Sequence, residues 1–218
     1  MKNTIRINNI TVTKNDKKIL DDINLQILDG ERLVIQGSSG AGKSTLLKCL
    51  LFFETISDGN IIHEGNIINE SNVASYRLNF SYISQKLPYY YGTVKEFLYL
   101  PLNYSNNSKL TISNKTIEHY FDSLSLDMDL FKKRYNKLSD GEKQRVCIVQ
   151  ALLLDRKFII LDEVTSNLDR RNKDRVVSFI SKNKNRTIIT VSHDHCWDDV
   201  FTRKVLMEDA KIVEEIVK

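Results

Sequence analysis

Short apolar runs alternate with polar residues through the first third of the chain, and this pattern predicts β-strands. The predicted strands of this region lie at 5–12, 23–28, 32–37 and 80–84. Asp-Gly and Glu-Gly pairs, which favour turns, separate several of these runs and stand at 29–30, 58–59 and 64–65. The segment 43–53 predicts a helix, and 58–66 predicts a hairpin.

Between residues 86 and about 135 the strand pattern is absent, and mixed polar and apolar positions predict helices at 93–99 and roughly 113–135. Farther on, helices alternate with continuous apolar strands. The helices are predicted at about 141–153 and 169–182, and the strands at 157–163 and 186–194. Continuous apolar strands beside helices indicate a parallel sheet that is buried on both faces. The fold class is therefore α/β.

The composition is ordinary for a globular protein, with 41% hydrophobic and 28% charged residues among 218. The net charge of +4 comes from 32 basic and 28 acidic residues spread along the chain, so no nucleic-acid partner is expected. The apolar runs are shorter than the roughly 18 residues of a membrane-spanning helix. Cys49, Cys147 and Cys196 form no C-x-x-C pair, which favours free thiols in a reducing cytosol.

The segment "GSSGAGKST" follows a predicted strand and opens a predicted helix, as a phosphate-binding loop requires. Its glycines let backbone N–H groups turn inward around the β- and γ-phosphates of a nucleotide. Lys43 would add a cation, and the Ser44 hydroxyl would reach Mg²⁺. The motif fixes four positions, which are Gly37, Gly42, Lys43 and Ser44 here. A glycine-rich turn without this function would match all four by chance in about one per cent of chains of this length. The predicted nucleotide contacts are Gly37, Ser38, Ser39, Gly40, Ala41, Gly42, Lys43, Ser44 and Thr45.

Polar side chains follow three other strands of the predicted sheet. Asp162 and Glu163 end the strand "FIILDE", where Asp162 would act on Mg²⁺ and Glu163 would polarise the attacking water. His193 ends the next strand and could contact a γ-phosphate. Gln85 follows "FSYIS", where its amide could reach Mg²⁺ or the water. Each residue alone could be a solvated surface group, but the set of strand ends predicts a catalytic site.

The stretch "KLSDGEKQRV" begins a helix and allows two interpretations. Ser139 and Glu142, three residues apart, form the pattern of a capping box. Ser139 and the Gly141 amide also stand at a positive helix end, where a phosphate could bind. The two roles are compatible if Asp140 points away from the phosphate.

Six motifs follow one another in the chain: "GSSGAGKST", "SYISQ", "LSDGEKQR", "IILDE", "SNLD" and "VSHD". In this order they resemble the ATP-binding subunits of ABC transporters over essentially all of the chain. The resemblance implies one domain over 1–218, with a P-loop NTPase core, an antiparallel N-terminal β subdomain and a helical signature subdomain at about 86–150.

The same resemblance implies a head-to-tail homodimer. Each ATP would lie between the phosphate loop of one copy and Ser139 and Gly141 of the other, and Asp169 would belong to the dimer-contacting loop. Binding of ATP with Mg²⁺ would close the dimer and hydrolysis would open it. Separate permease subunits would convert this motion into transport of a substrate that the sequence does not identify.

Residues 86–100, "KLPYYYGTVKEFLYL", resemble the segment through which such subunits contact the membrane protein. The expected location is therefore cytoplasmic, on the inner face of the cell membrane. The residues at 80–100 and 138–169 resemble those of small bacterial ATPases that pair with a separate permease, including an iron-export type.

Several positions depart from the family pattern. Asp140 and Glu142 replace Gly and Gln of the signature, and Gln150 stands where Arg is usual. No aromatic residue precedes Phe52, and Lys14 lies nearest to the position where the family stacks adenine on a ring. We therefore expect weak discrimination between ATP and GTP.

Two other functions compete with this interpretation. A soluble ABC-type ATPase that acts on nucleic acid would carry long coiled coils between phosphate loop and signature, and none is visible. One that acts on ribosomes would carry two such domains. A regulator without turnover would lack the water-activating acid, whereas Glu163 is present.

Overall fold

The computed structural model describes residues 4–182 and 185–218, and the strands in this part form two sheets. The strands are β1 (Ile5–Lys14), β2 (Lys17–Ile27), β3 (Arg32–Gly37), β4 (Asp58–His63), β5 (Asn66–Ile67), β6 (Phe80–Ile83), β7 (Phe158–Asp162), β8 (Thr187–Val191), β9 (Arg203–Glu208) and β10 (Lys211–Val217). The helices are α1 (Lys43–Leu50), α2 (Val73–Arg77), α3 (Val94–Tyr99), α4 (Asn114–Ser123), α5 (Asp140–Leu153) and α6 (Arg170–Ser181). Of the helices in the described ranges, none is long and apolar enough to cross a bilayer.

The larger sheet has six strands in the order β10-β9-β3-β8-β7-β6. All neighbours in it are parallel except β10, which is antiparallel to β9. The smaller sheet is antiparallel, with four strands in the order β2-β1-β4-β5. The predicted α/β fold is confirmed. Because β3, β6, β7 and β8 run in the same direction, their carboxyl ends meet at one edge of the sheet.

Two hydrophobic cores cover the two faces of the parallel sheet. Successive side chains of a strand point to opposite faces, so Leu33 and Ile35 pack with α1 residues such as Leu46, between the two sheets. Val34 points to the other face and packs with Ile148 of α5. Each fully buried aliphatic side chain contributes roughly 1.5–3 kcal/mol. Packing on both faces therefore fixes the positions of the parallel strands and of their carboxyl ends.

The structure corrects the predicted start of the second strand. β2 begins at Lys17 rather than at residue 23. Asn15 and Asp16 have φ angles of 47° and 59°, so they form a tight two-residue connection between β1 and β2. Four of the residues 17–22 are charged and only Leu20 is buried, so the strand pattern is weak in this part of the chain.

Two other predicted elements are also wrong in detail. Only α4 and two 3₁₀ turns, Met128–Lys132 and Tyr135–Lys137, occupy the region predicted as helix at 113–135. The helix is interrupted after Leu124, where Ser125 has a φ of 50°. Gly59 lies inside β4 rather than in a turn. A Cβ there would lie 2.4 Å from the Asn8 carbonyl oxygen, so this glycine permits close approach to β1.

Candidate functional site

The predicted phosphate loop connects β3 to α1, and its backbone requires glycine at two points. Gly37 has a φ of 146°, and a Cβ there would lie 2.0 Å from the Met207 carbonyl oxygen. Gly42 has a φ of 97°, and a Cβ would lie 2.5 Å from the Ile19 carbonyl oxygen. The loop can therefore wrap the start of α1 only with these glycines, and helix starts are natural sites for anions.

Lys43 is nearly buried within this loop, with 6% of its surface exposed. Its Nζ donates hydrogen bonds to the carbonyl oxygens of Gly37 at 2.9 Å and Ser38 at 2.7 Å. Burial lowers the pKa of the Lys43 ammonium, and the carboxylates of Glu163 and Asp162 offset this only in part. The ammonium is thus already placed where a phosphate would meet the loop.

Asp162 lies at the end of β7 and is 3% exposed. Its Oδ1 accepts a hydrogen bond from the Ser44 hydroxyl at 3.0 Å, so two of the three predicted magnesium ligands are neighbours. Oxygen atoms of this kind suit Mg²⁺, which keeps several waters and takes few protein ligands. In the described residues no cluster of three or more His, Cys, Asp or Glu side chains could hold a metal. Waters and phosphate oxygens would complete the coordination of a magnesium ion here.

The sequence did not reveal the role of Tyr82. Its hydroxyl donates a hydrogen bond to the Asp162 Oδ2 at 3.3 Å, because β6 lies beside β7 in the sheet. Burial, reinforced by the charge of Asp162, raises the pKa of Tyr82 to about 12. The hydroxyl therefore stays protonated and keeps Asp162 oriented. No local pattern distinguishes Tyr82 from other aromatic strand residues.

Glu163 follows β7 in a left-handed conformation with a φ of 51°, which is uncommon for a residue other than glycine. Its N–H donates to the Val191 carbonyl oxygen at 2.9 Å, so it is tied to the end of β8. The Gln85 Nε2 donates to the Glu163 Oε2 at 2.6 Å. Two of the predicted strand-end residues are thus in direct contact.

A cavity of about 560 Å³ brings most of the predicted residues together. It is lined by phosphate-loop residues, by Gln85, Glu163 and His193, and by Lys17 and Ile19 of β2. A second cavity of about 380 Å³ shares part of this lining and adds the predicted loop residues Ser38 and Ala41. Lys17 and Ile19 were not predicted from the sequence.

Lys14 is nearest in sequence to the position where the family stacks adenine, but in the structure it lies outside the two cavities. The Lys14 Nζ forms an ion pair with Glu54 at 2.5 Å, and Lys14 does not line either cavity. The first residues of β2, rather than the last of β1, lie against the phosphate loop. No aromatic side chain is among the residues that line the two cavities in the described part of the chain.

Ser139, Gly141 and Asp169 are not part of these cavities. Ser139 caps α5, and the predicted capping box is confirmed. The Ser139 N–H donates to the Glu142 Oε2 at 2.8 Å, and the Glu142 N–H donates to the Ser139 Oγ at 3.3 Å. A Cβ on Gly141 would lie 3.5 Å from Leu168. The start of α5 therefore lies beside the loop that leads to Asp169.

Asp140 and Asp169 each have a local partner. Asp140 pairs with Lys143 at 3.1 Å. Asp169 caps α6, and its Oδ1 accepts from the Asn172 N–H at 3.0 Å. Hydrogen bonds from the backbone and side chain of Asn172 lower the pKa of Asp169.

The chain is similar to known proteins over most of its length. The model of the family "ABC transporter" matches residues 20–166, more than half of the chain. A "Probable ABC transporter ATP-binding/permease protein" of Haemophilus influenzae is 35% identical over 193 residues, which are 87% of this chain and 35% of the relative. The "Energy-coupling factor transporter ATP-binding protein EcfA" of Aster yellows witches'-broom phytoplasma is 35% identical over 192 residues, 87% of this chain and 70% of the relative.

The chain thus spans only about a third of the length of the Haemophilus relative. Among solved structures, the ATP-binding cassette MJ0796, a dimer in a post-hydrolysis state bound to ADP and Pi, has a TM-score of 0.86. The identity to it is 22%, with 98% of each chain covered, so this likeness shows the fold. The family model and these relatives show that the chain belongs to the ABC transporter family.

Proposed function

We propose that this chain binds ATP with Mg²⁺ and hydrolyses the ATP to ADP and phosphate. The arrangement of Lys43, the Ser44–Asp162 pair and the Gln85–Glu163 pair around one cavity carries the proposal. It supplies a cation for the phosphates, oxygen ligands for a metal and a carboxylate for water. These are the parts that phosphoryl transfer to water needs.

In this mechanism the loop amides and Lys43 hold the β- and γ-phosphates. Ser44 and Asp162 would hold Mg²⁺, which neutralises charge on the phosphate oxygens when it is bound. Glu163 orients the attacking water, and the amide of Gln85 fixes the position of the Glu163 carboxylate. His193, exposed at the rim of the cavity, contacts the γ-phosphate.

We also propose that two copies assemble around two nucleotides. Ser139 and Gly141 lie outside the cavity of their own chain, which supports a role for them at the phosphate of a second copy, and Asp169 would lie in the loop that contacts that copy. The positive start of α5 is suited to this role. The dimeric state of the MJ0796 cassette is consistent with such an assembly.

The coupled activity that we propose is transport through separate permease subunits on the cytoplasmic face of the cell membrane. An apolar groove of about 400 Å³ supports a partner at this surface. Its lining includes Phe80 and Tyr82 of β6 and, from the segment after β6, Pro88, Phe97 and Leu100. The iron-export subtype stays a prediction.

Replacement of Glu163 by Gln tests the hydrolytic mechanism. We expect Glu163→Gln to bind ATP, to slow steady-state turnover by roughly a hundredfold or more, and to accumulate an ATP-bound dimer, because water is no longer oriented. Phosphate release and size-exclusion chromatography with ATP would measure both effects.

Glu118→Gln is a suitable control, because Glu118 is an exposed acid on α4 and does not line the cavity. Its turnover should equal that of the wild type. Normal turnover in Glu163→Gln would exclude Glu163 as the group that activates water.

A further inference from the structure

The carboxylate of Asp194 connects three segments that meet beside the cavity. Its Oδ2 accepts a hydrogen bond from the Thr165 hydroxyl at 2.5 Å. Its Oδ1 accepts from the Lys173 Nζ at 2.5 Å. Thr165 belongs to the loop after β7, Lys173 belongs to α6, and Asp194 follows β8. Each carboxylate oxygen therefore accepts a hydrogen bond from a residue on another element.

Two of the three segments carry groups that we place at the γ-phosphate. Asp194 directly follows His193, and Thr165 lies two residues after Glu163. Thr165 is completely buried, so its hydroxyl cannot turn to water as an alternative partner. A shift of Asp194 would therefore break the Thr165 bond and change the spacing between His193 and Glu163.

The ionised state of Asp194 is favoured in this environment. Burial opposes ionisation, but the hydrogen bonds from Lys173 and Thr165 outweigh it and lower the pKa of Asp194. Asp194 and Lys173 are both largely shielded from water, with side-chain exposures of 26% and 23%. An ion pair so shielded holds a more definite geometry than a solvated one.

We propose that Lys173 and Asp194 are positioning residues for ATP hydrolysis. Their ion pair, with the Thr165 hydrogen bond, fixes His193 and Glu163 relative to each other and to α6. The inference rests on the proposed ATPase activity and adds residues that the sequence motifs did not single out for this role. Because α6 begins at the Asp169 cap, the same pair links the loop 166–169 to the position of His193.

Lys173→Met removes the charge of Lys173 and retains most of the length of its side chain. We expect kcat for ATP to fall roughly 10- to 100-fold, since small misplacements of catalytic groups have effects of this size. KM for ATP should change less than about twofold, because Lys43 and the phosphate loop are untouched. Lys173→Arg should restore most of the kcat, because it returns the cation.

Lys204→Met is a matched control. Lys204 pairs with Asp198 at 2.9 Å, and its side-chain exposure of 20% is close to that of Lys173. Its kcat should stay within about twofold of the wild type. Thermal unfolding of each variant would separate a loss of stability from a loss of turnover.

Thr165→Val, which removes only the hydroxyl donor, provides a second variant if Lys173→Met fails to fold. A lowered kcat with unchanged KM in either variant supports the proposal. Wild-type kcat in both variants, a change confined to KM, or an equal loss in Lys204→Met overturns it. Absence of ATPase activity in the wild type would instead overturn the proposed function.

Discussion

Lys17, an early residue of β2, lines the cavity beside the phosphate loop, whereas the ammonium of Lys14 is held by Glu54. Lys17 and Ile19 line the cavity with the phosphate loop, and neither can stack a base as an aromatic ring does. Base–aromatic stacking contributes about 1–3 kcal/mol per base, so its absence shifts recognition toward the phosphates. A cation attracts the phosphates of ATP and GTP equally.

We therefore expect similar dissociation constants for ATP and GTP, within about threefold, measured by titration calorimetry. Lys17→Ala should weaken both nucleotides by roughly two- to fivefold, as expected when one partly screened charge is removed. Lys14→Ala is the control and should leave both affinities unchanged, because its ammonium is already paired. Tight ATP binding with far weaker GTP binding would contradict this expectation.

At the scale of a single element, the start of α5 combines a cap with a candidate phosphate contact. The Ser139 hydroxyl donates to the Glu142 Oε2 at 2.9 Å. A hydroxyl has one proton, so Ser139 must turn away from Glu142 before it can donate to the phosphate of a second copy. The capping box thus stabilises α5 in the monomer and competes with the contact proposed for the dimer.

Ser139→Arg tests the second role. We expect ATP binding to the monomer to persist, because Ser139 does not line the cavity, and turnover to be lost, because the bulky side chain blocks the approach of a second copy. Binding would be measured by calorimetry and turnover by phosphate release.

Ser113→Arg is the matched control for this experiment. Ser113 is an exposed N-cap of α4, and its Oγ accepts from the Thr116 N–H at 3.1 Å. Loss of either cap should cost about 1 kcal/mol of stability, but only the change at Ser139 should abolish turnover. Normal turnover in Ser139→Arg would leave the start of α5 as a helix cap alone.

On the scale of the whole molecule, the two cores on either side of the parallel sheet support our proposal that residues 1–218 form one nucleotide-binding domain. The groove lies at the β6 edge of this sheet and β10 is at the other edge. Tyr104, which is 64% exposed, extends the groove, and the exposed Phe53 packs near Tyr82 with 6.2 Å between ring centroids. Aromatic side chains exposed in this way are typical of partner interfaces.

We expect the full chain to co-purify from membranes with a permease, and Tyr104→Glu to reduce this recovery by roughly tenfold, since interface aromatics often contribute more than 1 kcal/mol. Val213→Glu on β10, at a residue that is 53% exposed, is the control and should be recovered normally. Recovery only in soluble complexes with nucleic acid or ribosomes would favour the alternative function instead.

The phosphate loop, the strand-end acids and the α5 cap could all be predicted from short stretches of sequence. These features depend on contiguous residues, because a glycine-rich turn, a strand end or a helix start is built within a few positions. The helical region between β6 and α5 was located correctly, but its 3₁₀ turns were not predicted, because local propensity does not show where tertiary packing interrupts a helix.

The distant residues that complete the site could not be predicted before the packing of the chain was known. Tyr82 donates a hydrogen bond to Asp162 on the neighbouring parallel strand. Asp194 accepts hydrogen bonds from Thr165 and Lys173, which lie on separate elements. The register of the β1–β2 hairpin places Lys17 rather than Lys14 at the phosphate loop. The physical reason is common to these cases: such contacts depend on strand order, register and helix docking, which are set by the packing of the whole chain rather than by any short segment.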